Sequence, residues 1–136
     1  MSNIPKDFEP LYRESNYIQL IGPVYQKREP NSLRLGLLAE EKHCNARGNI
    51  HGGVLAGLVD MAMGYNIAFS EDPPIASVTV SLNVDYMGRV QRNDWIEVET
   101  QLERKGRSMV FARSFCTVNN KPVCRASGVF KLLGSS

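Results

Sequence analysis

Residues 50–64, Ile-His-Gly-Gly-Val-Leu-Ala-Gly-Leu-Val-Asp-Met-Ala-Met-Gly, constrain this chain more than any other stretch. They set one carboxylate, Asp60, in the middle of an apolar helical run that opens on two glycines. Burying a lone charge is costly, so a carboxylate in such a place has either a partner or a task. The free N–H groups of a helix start are a place for negative charge, bound or developing. The run from Gly52 to Phe69 could pass for a membrane span, but an Asp at its centre costs about 2.5–3.5 kcal/mol on insertion scales. Amphipathic strands surround it, and we expect a buried core helix.

The rest of the chain reads mainly as strands. Val24 to Glu29 is a short strand after the Gly22-Pro23 break, and Pro30-Asn31 is a turn. Ser32 to Lys42 is a second strand, with Leu33, Leu35 and Leu37 alternating, and His43 to Asn49 is a polar loop. Glu71-Asp72-Pro73-Pro74 ends the helix. In 75–86, Val78, Val80, Leu82, Val84 and Tyr86 face one way and Ser77, Thr79, Ser81, Asn83 and Asp85 the other, an unbroken period of two. Strands over 94–104, 107–118 and 121–132 follow, joined by Lys105-Gly106 and by a tight Asn119-Asn120 turn. Phe8, Leu11 and Tyr12 suggest a short amphipathic helix in 5–16, within an N-terminal extension over 1–21. The expectation is one α+β domain over 1–136, six antiparallel strands with one long helix against them.

Helical geometry sharpens the central segment. Gly53, Gly57, Asp60 and Gly64 fall on one stripe, and Leu55, Leu58, Ala62, Tyr65 and Phe69 on another, read as the core face. Each glycine costs about 1 kcal/mol against alanine in a helix interior. Stacked glycines imply close approach by a backbone or a ligand. From Gly53 to Asp60 is roughly 10 Å along the axis. A carbonyl polarised at the helix start must lie about 3 Å from its donors, and a base within about 3–3.5 Å of the reacting carbon or one water further. One helix cannot easily serve both needs. Two antiparallel helices across a two-fold axis can, which predicts a dimer with two sites at its interface.

Composition excludes several classes. With 136 residues, a net charge of +2 and no nucleic-acid signature, the chain gives no case for a nucleic-acid partner. Cys44, Cys116 and Cys124 show no CxxC spacing and fit reduced thiols in a cytoplasm. The N-terminal residues carry no apolar h-region, so no signal peptide is expected. His43, Cys44 and His51 are too few and too irregular for a metal site, and Cys44 with His51 lacks an orienting third group. Gly48-x3-Gly52-Gly53 lacks the Lys-Ser/Thr of a phosphate-binding loop.

Asn45, then His51-Gly52-Gly53 and Asp60, followed by a strand carrying Thr79 and ending Asn83-Val84-Asp85-Tyr86-Met87, resemble the hotdog-fold acyl-CoA thioesterases of the phenylacetate-pathway (PaaI-like) type. The resemblance covers about residues 30–132. It implies a long helix wrapped by a six-stranded antiparallel sheet, protomers joined edge to edge, and dimers paired into tetramers. It also implies hydrolysis of an acyl-CoA or aroyl-CoA thioester with no metal or organic cofactor. On this chain the Gly52 N–H would stabilise the oxyanion, with Asn45 assisting there or positioning water. Asp60 of the partner chain would act as base or nucleophile. Thr79 matches a strand hydroxyl near the carboxylate, and His51 braces the loop. Gly53, Arg89 and Arg107 are the candidate substrate contacts. Among Arg89, Arg92, Arg104, Lys105 and Arg107, any single one also fits a solvated rim. Gly88-Arg89-Val90 departs from the family's usual Arg-Pro, which puts the local CoA-side loop in question. Two other readings stand beside this one: a non-catalytic acyl-CoA-binding hotdog module, and a hotdog hydroxyacyl dehydratase.

Overall fold

A computed structural model describes residues 4–134. The elements in chain order are β1 (Glu9–Pro10), α1 (Asn16–Ile21), β2 (Val24–Glu29), β3 (Ser32–Leu38), a 3-10 turn (Glu41–His43) and α2 (Gly52–Phe69). They are followed by β4 (Ser77–Tyr86), β5 (Trp95–Lys105), β6 (Met109–Val118) and β7 (Lys121–Leu132). One antiparallel sheet of order β1-β2-β3-β5-β6-β7-β4 wraps α2. The α+β expectation holds, with one strand more than the six expected. The extra strand is β1, which pairs Glu9 with Gln26 and Pro10 with Tyr25.

β1 lies where a helix was expected. Pro10 supplies no N–H for a helix, and the apolar residues of this segment find separate seats. Phe8 sits edge-on against Trp95 at 5.1 Å between centroids. The Leu11 N–H donates to the Val24 carbonyl. The helix of this extension forms later, from Asn16, where the Ser15 side chain caps the Ile18 N–H. The second strand also stops earlier than Lys42: Glu40 begins the 3-10 turn, and His43 closes it by accepting the Glu40 N–H at Nδ1.

α2 begins and ends where the sequence places it, and Leu55, Leu58 and Ala62 of the expected face point inward, but the buried stripe continues through Val59, Met63, Asn66 and Ile67 and not through Tyr65 and Phe69. Leu55, Leu58, Val59, Ala62, Met63, Asn66 and Ile67 are buried, whereas Tyr65 and Phe69 are only half-buried. The buried set follows the i, i+3, i+4, i+7 rhythm of one stripe. A helix apolar on nearly all sides carries no internal signal of which stripe the sheet will take. Among the described residues α2 is also the one helix long and apolar enough to cross a bilayer; here the sheet covers one face of it.

Asn66 explains much of this choice. β3 pairs with β5 only over Leu35–Leu38, so Leu33 has no strand partner on that side. The Asn66 side chain takes its place: Oδ1 accepts the Leu33 N–H at 2.8 Å and Nδ2 donates to the Leu33 carbonyl at 2.9 Å. Nδ2 also donates to the Ala62 carbonyl. Gly128 lets α2 come close on the far side, since a Cβ there would stand 2.9 Å from the Met63 sulfur. Asn119 and Asn120 both take positive φ, as the two-residue hairpin demands. All three cysteines are free thiols.

Replacing Asn66 by Leu strands two backbone groups in the interior. At about 1–3 kcal/mol per unpaired group, the Asn66→Leu protein should lose about 2–4 kcal/mol of unfolding free energy. A urea titration showing a lower midpoint at unchanged slope checks this.

Candidate active site

The carboxylate that opened the sequence reading is half-buried and has a partner. Thr79 Oγ1 donates to Asp60 Oδ1 at 2.7 Å. A hydroxyl donated to one carboxylate oxygen orients the group and leaves the other oxygen free to accept a proton. Asp60 and Thr79 both line a pocket of about 400 Å³ that continues along α2 past Gly64 and Tyr65 to Ala68 and Pro74. Met61, Ile75 and Phe130 contribute apolar walls.

The start of α2 is built separately. His51 is its N-cap, and His51 Nδ1 accepts the Gly53 N–H at 2.8 Å. The Val54 N–H goes to the His51 carbonyl. The Gly52 N–H forms no hydrogen bond among the described residues. A helix start in which the neighbouring amides are bonded and one is left over can offer that one to a carbonyl oxygen. His51 therefore holds the turn through its ring, and its own N–H is tied to the His43 carbonyl.

Asn45 lies in the exposed loop before α2. Its Oδ1 accepts the N–H groups of Arg47 and Asn49, at 2.9 and 3.2 Å, which folds the loop around it. Its Nδ2 makes no hydrogen bond among the described residues. Cys44 donates weakly to the Glu40 carbonyl and has no histidine base.

The sheet brings in a residue that was not singled out. Tyr86 Oη donates to the Gly52 carbonyl at 2.7 Å, and a Cβ on Gly52 would stand 3.1 Å from the Tyr86 ring. Partial burial pushes the Tyr86 hydroxyl above the usual tyrosine range, keeping it a donor. Tyr86 was expected on the opposite face of its strand from Thr79, and both turn toward α2. The reason is a bulge: Thr79 pairs with Phe130 and Ser81 with Val129, leaving Val80 unpaired. Nothing in Thr-Val-Ser announces this, so the expected alternation holds on either side of Val80 and changes phase across it.

The stripe of glycines divides three ways. Gly57 seats the Tyr17 hydroxyl, which would stand 2.8 Å from a Cβ. Gly53 is closed off by the His51 ring, and Gly64 is open to the pocket. Only Gly64 shares the pocket with Asp60. Gly52 and Asp60 of one chain stand about 12 Å apart along the helix axis at 1.5 Å per residue. Arg89 sits at the Tyr86 end of β4, next to Val90, whose carbonyl accepts the Ile50 N–H. Arg107 sits in the β5–β6 turn; Ser108 beside it accepts from Leu132, the partner of Ser77 at the opposite end of β4. One chain therefore does not bring Arg89 and Arg107 together.

A helix whose start leaves one amide free, with a hydroxyl-held carboxylate two turns on, is a carbonyl-handling arrangement. Residues 47–115 match the model of the thioesterase superfamily. The chain belongs to that superfamily. A Pseudomonas aeruginosa protein named "Putative esterase PA0474" is 41% identical over 133 residues, covering 97% of this chain and 99% of its own. Human acyl-coenzyme A thioesterase 13 is 26% identical over 102 residues, covering 74% of this chain and 72% of its own. The Escherichia coli PaaI protein of the phenylacetic acid degradation operon superposes with a TM-score of 0.82 at 16% identity, over 92% of this chain and 89% of its own. The resemblance read from the motif thus holds for fold and superfamily: this is a hotdog-fold thioesterase, a thioester hydrolase.

The Tyr86 hydroxyl bond is partly exposed, and a neutral hydrogen bond of this kind is worth about 0.5–1.5 kcal/mol. Tyr86→Phe in this thioesterase should lower unfolding free energy by about that amount while leaving the circular dichroism spectrum unchanged.

Proposed function

We propose that this thioesterase hydrolyses acyl-CoA or aroyl-CoA thioesters at two sites shared between two copies of the chain. In each, the Gly52 N–H of one copy polarises the thioester carbonyl and Asp60 of the other activates the attacking water. The observation that carries this reading is the position of both half-sites on one edge strand. β4 holds Asp60 through Thr79 near one end and Gly52 through Tyr86 at the other. β4 is the last strand of the sheet, paired only with β7 among the described residues. Its outer face also exposes Val78 and Val80. A long edge strand with exposed valines invites pairing.

If two copies of β4 pair antiparallel about a point between Leu82 and Asn83, Thr79 of one comes opposite Tyr86 of the other. Asp60 of each copy then approaches the Gly52 amide of its partner, which is the contact a single helix cannot make. The same two-fold carries Arg89 of one copy toward the β4 end where Arg107 of the other lies. Both arginines are exposed and form no ion pair among the described residues, which suits the phosphates of CoA.

The chemistry needs little more. Each oxyanion donor is worth about 2.7–4 kcal/mol of barrier. The Thr79 hydroxyl leaves Asp60 one oxygen for the water proton, and the departing thiolate needs no strong acid. The likeness to human acyl-coenzyme A thioesterase 13 supports the CoA thioester as substrate. The three free thiols fit a reducing compartment, and we place the protein in the cytoplasm.

Release of free CoA thiol from a panel of acyl- and aroyl-CoAs tests the activity. Asp60→Asn should turn over at least about a hundredfold more slowly than wild type, within the range for a positioned base, while remaining folded. A wild type that binds acyl-CoA but hydrolyses none would overturn the reading. Mixing Asp60→Asn chains with Gly52→Val chains tests the sharing: heterodimers contain one intact pair of half-sites and should regain activity. No recovery, with heterodimers demonstrated, sinks the shared site.

A further inference from the structure

The far end of the pocket that begins at Asp60 carries two polar groups that the hydrolysis itself does not use. Arg13, from the N-terminal extension, and Tyr65, on α2, both line it. Neither the Arg13 guanidinium nor the Tyr65 hydroxyl makes a hydrogen bond or an ion pair among the described residues. The neighbouring cation, Arg28, is seated over the Tyr12 and Phe69 rings, at 5.8 and 5.3 Å from their centroids. Arg13 has no such seat and no carboxylate.

Arg13 is nonetheless held in place through its backbone. The two residues before it are pinned, Leu11 N–H to the Val24 carbonyl and Tyr12 N–H to Gln26 Oε1 at 2.9 Å. The Tyr12 ring stands edge-on to Tyr65, centroids 5.9 Å apart. The extension is thus fastened to α2 at the level where Arg13 meets the pocket. Burial raises the pKa of the Tyr65 hydroxyl and keeps it protonated, and the positive charge of Arg13 acts on it in the opposite direction. Two donors that line one pocket, neither bonded to an acceptor of the protein among the described residues, point to an acceptor on the ligand.

We propose that Arg13, assisted by Tyr65, binds a carboxylate at the end of the acyl group, and that the preferred substrate is the CoA monothioester of a short dicarboxylic acid. This rests on the thioesterase reading above and names its substrate class. Length supports it. Tyr65 lies five residues beyond Asp60, about 7.5 Å along the helix at 1.5 Å per residue, the reach of an acyl chain of about six carbons. The apolar wall between, Met61 and Ile75, suits the methylenes. A tail anion is kept from Asp60 by like charge and drawn to Arg13, so the same pair of charges sets the direction in which the substrate lies.

The test compares kcat/KM for hexanedioyl-CoA and hexanoyl-CoA, equal in length and differing in the terminal carboxylate. Wild type should favour hexanedioyl-CoA by at least about tenfold, the size expected of a charge-assisted hydrogen bond. Arg13→Gln should remove that preference while changing hexanoyl-CoA by less than about threefold, and Arg13→Glu should reverse it. Arg13→Lys should restore part of it, and Tyr65→Phe should weaken it. Circular dichroism verifies that each variant folds; exposed Arg13 tolerates substitution. Hydrolysis of both substrates without an Arg13-dependent difference, or of hexanoyl-CoA alone, overturns the carboxylate site and leaves the thioesterase reading standing. No hydrolysis of any CoA thioester by wild type removes that reading and this one with it.

Discussion

The arrangement of this protein depends on one extra residue in an edge strand. Thr79 and Tyr86 are an odd number of positions apart, so in an unbroken strand they face opposite sides of the sheet. Val80 stands unpaired in a bulge, and both side chains turn to α2. The central helix is then held at two points, through the Asp60 carboxylate and through the Gly52 carbonyl. Without the change of phase one of these two bonds could not form, and either the carboxylate or the helix start would lose its brace.

The clamp has a functional corollary. It leaves one carboxylate oxygen and one amide free, at sites separated along a rigid helix. A helix does not shorten, so the two groups of one chain cannot reach a common carbonyl, and the proposed two-fold is what would bring them together. The strand that holds both is also the strand with an open edge. The residues that hold both groups and the residues of the open edge are the same ten, Ser77–Tyr86.

How far the sequence could be read varied with how local the signals were. The ends of α2 were legible because two prolines stop it and glycines open it. The Asn119-Asn120 hairpin was legible from turn chemistry, and the Asp60–Gly52 spacing from helical rise alone. The inward face of α2 was legible only in Leu55, Leu58 and Ala62, because apolar residues lie on nearly every side of it. The sheet chose the stripe containing Asn66, whose amide replaces a strand beside Leu33. That choice left Tyr65 at a pocket instead of in the core. The role of Gly57 was equally hidden, since the Tyr17 hydroxyl that fills its notch comes from an extension far away in sequence.

By itself the sequence determined the α+β class, the position of the long helix and the superfamily, because these rest on periodicity, spacing and a motif. The tertiary structure alone decided which hydroxyl meets which carboxylate, which face of α2 is buried and what reaches the pocket. The physical reason is range. Propensity, turn chemistry and helical rise act over a few neighbours along the chain. A bulge, a borrowed hydrogen bond and a side chain resting on a glycine are settled only when distant segments compete for the same surface.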